Sequence, residues 1–262
     1  MLVLVSGPKQ GVPMELRRSI ARKLMAPHNW RSFFGLVKTT RHPISIAASM
    51  YFAKNHYPKE VTLYTPTGWI DISLRTREDL KTLNEVFFRQ DYPCQSTDRV
   101  FFDFGGNIGI SAAYFLSRHQ ENIVYVYEPV PFNIGYAKRN LRIFSNRVEL
   151  LERAVALNDG KVKFGIEASG RYCGIGCHGE ETIEVSCCTA SVELTNIIAK
   201  HGQIDLLKID IEGMEIPVLQ SISEHLLCYI SRILAGCDGS LLCLPNFSYQ
   251  QYLSVAYFIR DM

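Results

Sequence analysis

A chain of 262 residues, 47% of them apolar, is long enough for one large domain or a domain with an extension, and too apolar for wholesale disorder. No apolar run approaches the ~20 residues of a membrane-crossing helix. Met1–Val5 is too short for a signal-peptide core and follows no basic residue, so a soluble, cytoplasmic protein is expected. The net charge of +2 conceals an asymmetry. Residues 1–60 carry ten Lys/Arg against Glu15 and Glu60, a balance of +8, leaving −6 for the remainder. Such a segment suits an anionic membrane surface, nucleic acid or an anionic substrate, or is simply a solvated helix face.

The eight cysteines are expected to be reduced thiols used as small apolar residues, because a chain with its own core needs no disulfides. Cys173-x-x-x-Cys177-His178 is half of a zinc pattern, but no second ligand pair follows at matching spacing, so no metal is assigned.

In chain order, residues 14–25 and 44–56 have helical periodicity, with Arg17, Arg18, Arg22 and Lys23 clustered on the first segment and Leu16, Ile20 and Leu24 on its other face. Residues 60–65 and 69–74 alternate around Pro66-Thr67-Gly68 and predict a β-hairpin. Thr76 is placed to cap a helix over 77–90 whose buried stripe is Leu80, Leu83, Val86 and Phe87. Residues 1–95 therefore form a helical and hairpin extension, and residues 96–262 a second unit of alternating strands and helices. Its strands are Val100–Phe104, Ile123–Tyr127, Val148–Leu151 and Ile204–Ile209. Its helices are Ile108–Arg118, Phe132–Phe144, one near 191–201 and one near Gly213–Ser223. Lys161–Ile166 and Ile183–Cys188 are further strands around a Gly-rich turn. Alternation of this kind predicts an α/β fold, Rossmann-like, with a mostly parallel twisted sheet covered by helices on both faces.

The first strand of that unit ends in Asp103-Phe-Gly-Gly-Asn-Ile-Gly109 and runs into a helix. Open α/β sheets bind ligands at the carboxyl ends of their strands, where glycines permit a sharp turn and close approach. The spacing Gly105, Gly106, Gly109 is not the dinucleotide G-x-G-x-x-G, and the acid before it opposes a pyrophosphate. Asn107 is a turn residue. Glu128 ends the second strand, where a carboxylate can accept from both hydroxyls of a ribose. An ammonium, a ribose and no phosphate describe S-adenosylmethionine. The plainer reading makes Asp103 a helix cap and Glu128 a solvated strand end.

Several blocks, in order, resemble the FkbM-type family of S-adenosylmethionine-dependent methyltransferases. They are Val100 to Gly109, Tyr127-Glu-Pro-Val-Pro-Phe-Asn133 with Asn140-Leu141, and Ile204-Asp-Leu-Leu-Lys-Ile-Asp-Ile-Glu-Gly-Met-Glu-Ile-Pro-Val-Leu219. The hairpin and helix with Asp71, Leu80, Asn84 and Phe87 are similar to the stretch that precedes the family's domain, and the similarity covers roughly residues 60–235. The resemblance implies methyl transfer to oxygen on a sugar or secondary metabolite, so a small-molecule or glycan acceptor, and a seven-stranded sheet with a reversed hairpin at its end. It assigns Asp103, Gly105, Asn107 and Gly109 to the methionine part, Glu128 to the ribose and Asp210 to the sulfonium side, with Gly106, Pro129 and Ala154 as further candidate cofactor-binding residues.

Lys208, Asp210, Glu212 and Glu215 fall within eight residues at the end of the central strand. Lys208 and Asp210 share a face. Asp210 is the candidate general base, with Lys208 pairing with it or acting itself if burial lowers its pKa. Asp210 with Glu212 is also a possible oxygen pair for a divalent cation. Glu215, and as readily Glu212, suits the N-terminus of the following helix. Two departures from the family stand out: Thr189-Ala190-Ser191 where Thr-Leu-Asp is common, and Gly236-Cys237-Asp238-Gly239 where an acid is expected to close a strand. About two dozen residues then remain. That is short for a helix plus a hairpin, so the sheet is expected to be cut short or altered there, with Ser248–Met262 as a helix or one strand. A non-catalytic binding protein on the same fold and a nicotinamide-dependent oxidoreductase are the rival readings. Nucleic acid is disfavoured as substrate, since no Asn-Pro-Pro-Tyr-like motif occurs, and the oligomeric state is not encoded in any pattern.

Overall fold

The computed structural model describes residues 26–51, 57–167, 173–176, 181–240 and 242–261. The basic segment 14–25 lies outside the described residues, as do 52–56 at the end of the second predicted helix. The described chain starts with α1 (Pro27–Thr39), which periodicity did not single out, and α2 (Pro43–Tyr51). The predicted hairpin follows as β1 (Lys59–Thr65) and β2 (Gly68–Leu74), antiparallel about Gly68, whose φ of 119° suits only glycine. Thr76 caps α3 (Arg77–Leu83), and the Asp79 carboxylate returns a bond to the Thr76 amide, a reciprocal capping box. The single helix expected over 77–90 does not continue unchanged: Asn84–Arg89 widens into a π-helical stretch that ends at Gln90 in the left-handed region. An inserted residue of this kind leaves no mark in a 3.6-residue pattern.

The second unit contains a seven-stranded sheet. In chain order its strands are β3 (Val100–Phe104), β4 (Ile123–Tyr127), β5 (Val148–Leu151), β10 (Leu206–Ile209), β11 (Arg232–Ala235), β12 (Phe247–Tyr252) and β13 (Val255–Arg260). In space the order is β12-β13-β11-β10-β3-β4-β5, with β3, β4, β5, β10 and β11 parallel and β13 antiparallel to both its neighbours. Every residue of β3, β10 and β11 is buried, as a strand covered on both faces requires. The covering helices include α4 (Ile110–Leu116), α5 (Pro131–Asn140), α6 (Ala190–His201), α7 (Glu215–Ser221) and α8 (Glu224–Leu227). The chain leaves β3 toward β4 and β5 and returns on its other side through β10, so a crevice opens between the carboxyl ends of β3 and β10.

Two expectations are corrected. The C-terminal segment is neither a helix nor one strand, and the sheet is not cut short: β12 and β13 form the complete reversed hairpin, with Leu253 at φ 54° in its turn. No helix occurs among the described residues between β11 and β12, which frees enough chain for both strands. The strands near 161–188 do not join the main sheet. They build a separate sheet of order β6-β9-β7-β8, from β6 (Ala154–Ala156), β7 (Gly160–Ile166), β8 (Gly174–Ile175) and β9 (Glu181–Thr189).

The extension shares a hydrophobic core with the sheet unit. Leu63, Ile72, Leu80, Phe87 and Phe88 pack in one cluster with Phe101, Tyr114 and Phe115, and Phe87 meets Tyr114 edge-on at 5.3 Å between centroids. No described helix is long and apolar enough to cross a membrane. Because the core crosses the boundary, Phe87→Ala is expected to lower the stability of the whole chain by about 3–5 kcal/mol in a single cooperative urea transition. A separate early transition that left the sheet unit's midpoint unchanged would contradict a shared core.

Candidate functional site

A cavity of about 310 Å³ opens over the carboxyl ends of β3 and β10. Its size is within the range of small-molecule sites. Four parts of the chain wall it: the turn after β3 with the start of α5, the small sheet, the extension, and the segment after β10 with the C-terminal hairpin turn at Ser254.

The turn is tied down by hydrogen bonds. The Gly105 and Gly106 amides both donate to the Tyr127 carbonyl at 3.0 Å. A Cβ at Gly105 (φ 86°) would overlap the Asp210 carbonyl, so glycine here lets the turn close onto the end of β10. Asn107, at φ 48°, donates its amide to Glu128 Oε2 at 2.8 Å. Glu128 is buried, not a solvated strand end; its Oε1 accepts from the Val130 amide at 2.9 Å and Asn133 Nδ2 at 3.2 Å. Burial pushes its carboxyl above the usual range against the lowering pull of those three donors. Asn140 is a buried strut: its Nδ2 donates to the Ile108 and Ser73 carbonyls and its Oδ1 accepts from the Ser73 amide.

The register of the sheet sets Lys208 directly beside Asp103. Lys208 Nζ donates to Asp103 Oδ1 at 2.8 Å and to the Gly105 carbonyl at 3.0 Å, and lies 3.9 Å from Asp210 Oδ2. Asp103 also accepts from the Ser111 hydroxyl and is fully buried. Burial alone would push the Lys208 ammonium down, but Asp103, Asp210 and Glu128 outweigh it and hold it above its ordinary value. Lys208 is therefore a fixed cation, and the expectation that burial frees it to act as a base is not met. The Asp210 side chain, 38% exposed, faces the cavity.

The predicted residues separate accordingly. Gly105, Gly106, Asn107, Glu128, Pro129, Ala154, Lys208, Asp210 and Glu212 line the cavity. Asp103 and Gly109 do not: Asp103 is enclosed by Lys208 and Ser111, and Gly109 is the left-handed N-cap of α4, packed on Leu141. The ammonium that Asp103 meets is the chain's own. Glu215 is the buried brace of its helix N-terminus, accepting from the Ile211 and Gly213 amides at 2.9 and 2.8 Å, while Glu212 stands at φ 50° on the cavity rim. Cys173 lies on the wall, whereas Cys177 and His178 fall outside the described residues. Among the described residues no group of three or more His, Cys, Asp or Glu converges as a metal site.

Sequence reasoning missed the walls supplied from elsewhere: Phe164 and Ile175 from the small sheet, and Thr82, Glu85 and Tyr92 from the extension. Phe164 and Ile175 are ordinary strand residues in sequence. Tyr92 is 118 positions from the Asp210 carboxylate that it reaches. Among the described lining residues Lys208 is the sole Lys or Arg, against Asp79, Glu85, Glu128, Asp210 and Glu212. The cavity therefore suits a cationic or neutral ligand better than a phosphate.

A search of curated proteins finds no match. Among solved structures, a methyltransferase FkbM from Methylobacillus flagellatus is similar at 14% identity and TM-score 0.46, over 94% of this chain and 58% of that one. An rRNA methylase from Streptococcus thermophilus (10%, TM-score 0.36) is matched over 63% of this chain and 88% of its own. The N-terminal domain of human METTL16 in complex with SAH (11%, TM-score 0.36) is matched over 70% and 68%. This chain thus spans less than two thirds of the FkbM structure. The family model of the methyltransferase FkbM domain matches residues 103–235, just over half of the chain, from Asp103 at the end of β3 to Ala235 at the end of β11. The chain belongs to the FkbM family of methyltransferases, and its cofactor is S-adenosylmethionine.

Proposed function

We propose that the protein transfers the methyl group of S-adenosylmethionine to a hydroxyl of a small-molecule or glycan acceptor, such as a sugar or secondary metabolite, in the cytoplasm. The observation that carries this reading is the wall chemistry: a buried carboxylate, Glu128, beside a glycine turn, in a cavity whose one lysine among the described lining residues is already neutralised by Asp103. Glu128 would accept from the ribose hydroxyls. Pro129, Ala154, Phe164 and Ile175 offer an apolar slot for a flat base. Gly105, Gly106 and Asn107 would border the methionine part, with Asp103 and Gly109 holding that turn from behind. The cofactor brings a sulfonium methyl already activated for in-line attack by oxygen.

The remaining tasks fall to the chain: to place the acceptor oxygen, exclude water and take up one proton. Asp210, exposed to the cavity and 3.9 Å from the Lys208 cation, is the group to orient the hydroxyl and receive its proton. Glu212 on the rim would engage other hydroxyls of the acceptor. The acidic lining supports an acceptor that is not a polyanion. The charge of residues 1–60 and an exposed stripe on α1, Trp30, Phe33, Phe34 and Val37, further support contact with an anionic membrane surface.

Glu128→Gln is expected to weaken binding of S-adenosylhomocysteine, the demethylated product, by about 10- to 100-fold in isothermal titration. In the wild-type protein that affinity should fall with decreasing pH from a point above the ordinary glutamate range, because the raised carboxyl is neutralised earlier and then accepts fewer bonds. Full affinity in a folded Glu128→Gln protein removes Glu128 from the site.

Asp210→Asn should keep S-adenosylhomocysteine binding and lose about 100-fold or more of turnover, as removal of a general base does. The measurement is mass spectrometry of a metabolite and glycan extract incubated with protein and S-adenosylmethionine bearing a deuterated methyl group. Label on oxygen supports the reading. Label on nitrogen, or tight cofactor binding with no label in any fraction, rejects it, the latter in favour of a binding protein. Vesicle co-sedimentation should show salt-sensitive preference for phosphatidylglycerol-containing over neutral vesicles, reduced in Trp30→Ser/Phe34→Ser; equal binding to both rejects the membrane contact.

A further inference from the structure

The extension contributes one side chain that touches the central charge cluster, and no motif marks it. Tyr92 follows the left-handed Gln90 that ends the π-helical stretch, and it is buried. Its hydroxyl donates to Asp210 Oδ2 at 3.3 Å, and its ring lies over the Lys208 ammonium, 5.7 Å from ring centroid to Nζ. Both partners therefore act on the same carboxylate oxygen. Oδ1 lies on the other side, where a Cβ at Gly236 would overlap it, and accepts from no other described side chain.

We propose that Tyr92 is a positioning residue, which fixes the plane of the Asp210 carboxylate by holding Oδ2 and so presents Oδ1 to the acceptor hydroxyl. The proposal rests on the reading of Asp210 as the acceptor-facing base. Burial, then the charges of Asp210 and Glu85, hold the phenol well above its ordinary pKa, so across the working pH range it is a donor only. The groups that face the pair are Lys208 from β10, Glu85 and Asp91 from the π-helical side, and Cys237 from the segment after β11. Burial, then nearby acids, push the Cys237 thiol up to about 11, so it is uncharged there. Lys208 stays charged throughout. The Tyr92 hydroxyl is thus an uncharged donor that holds the Asp210 carboxylate beside the charged Lys208.

The test is a thermal double-mutant cycle in the full chain. Tyr92→Phe keeps the ring over Lys208 and removes only the hydroxyl. The penalty of Tyr92→Phe should shrink in the Asp210→Asn background, a coupling that ring packing alone would not give, and an equal penalty in both backgrounds overturns the proposal. The carboxyl carbon-13 resonance of Asp210 at neutral pH, identified by Asp210→Asn, should also move in folded Tyr92→Phe, and an unmoved resonance overturns the proposal. S-adenosylhomocysteine affinity, measured on the same wild-type sample, tests the cofactor reading by itself. Its absence sinks that reading, whereas its presence with equal penalties in the two backgrounds sinks only the role of Tyr92.

Discussion

The constraint on which the site depends is the burial of one ammonium between two strand ends. Lys208 is taken almost wholly out of water, a step that costs several kcal/mol unless its charge is answered at close range. Asp103 answers it from the adjacent strand, and the Gly105 carbonyl and Asp210 add to it. That geometry exists only in the register that sets Lys208 beside Asp103, because a one-residue slip would turn the lysine to the opposite face. The same three contacts fix the turn after β3, the direction of Asp210 and the charge of the cavity floor.

Around that floor the cavity is assembled from distant parts of the chain. The family domain supplies the turn, Glu128, the small sheet and the end of β10. The rest comes from the extension and the hairpin turn. The shared core explains how an extension helix can carry a residue of the site: Phe87 and Phe88 anchor the π-helical stretch, and the chain emerges from it at Asp91 and Tyr92 against β10. The Tyr257 hydroxyl, donating to the Asp91 carbonyl at 2.6 Å, ties the C-terminal strand to that same point.

The parts of this arrangement that could be read in the sequence are those set by local chemistry. The glycine turn, Glu128 at a strand end and the helix cap at Thr76 each follow from a residue type at a fixed short spacing. Lys208 and Asp210 share a face because strands have period two. The pairing of Lys208 with Asp103 was not legible, since it depends on a strand register across 105 residues. Asp103 was therefore assigned to a ligand ammonium when the chain provides its own. The C-terminal hairpin was obscured for a different reason: counting residues assumed an intervening helix that the described chain omits. The π-helical insertion and the separate small sheet lie beyond pattern reading, because neither changes the apolar periodicity of the segments that form it.

Asn140 shows how unevenly such a structure distributes freedom to vary. Both of its partners, residues 73 and 108, are engaged through main-chain atoms. Any residue at position 108, and any but proline at position 73, presents the same main-chain groups, so substitution there leaves this joint intact. At position 140 the joint needs a donor and an acceptor on one short planar group, and glutamine would place that group one methylene too far. Evolutionary drift across the seam between the hairpin and the glycine turn should thus be one-sided: tolerant on the strand, and close to nil at the single asparagine that spans it.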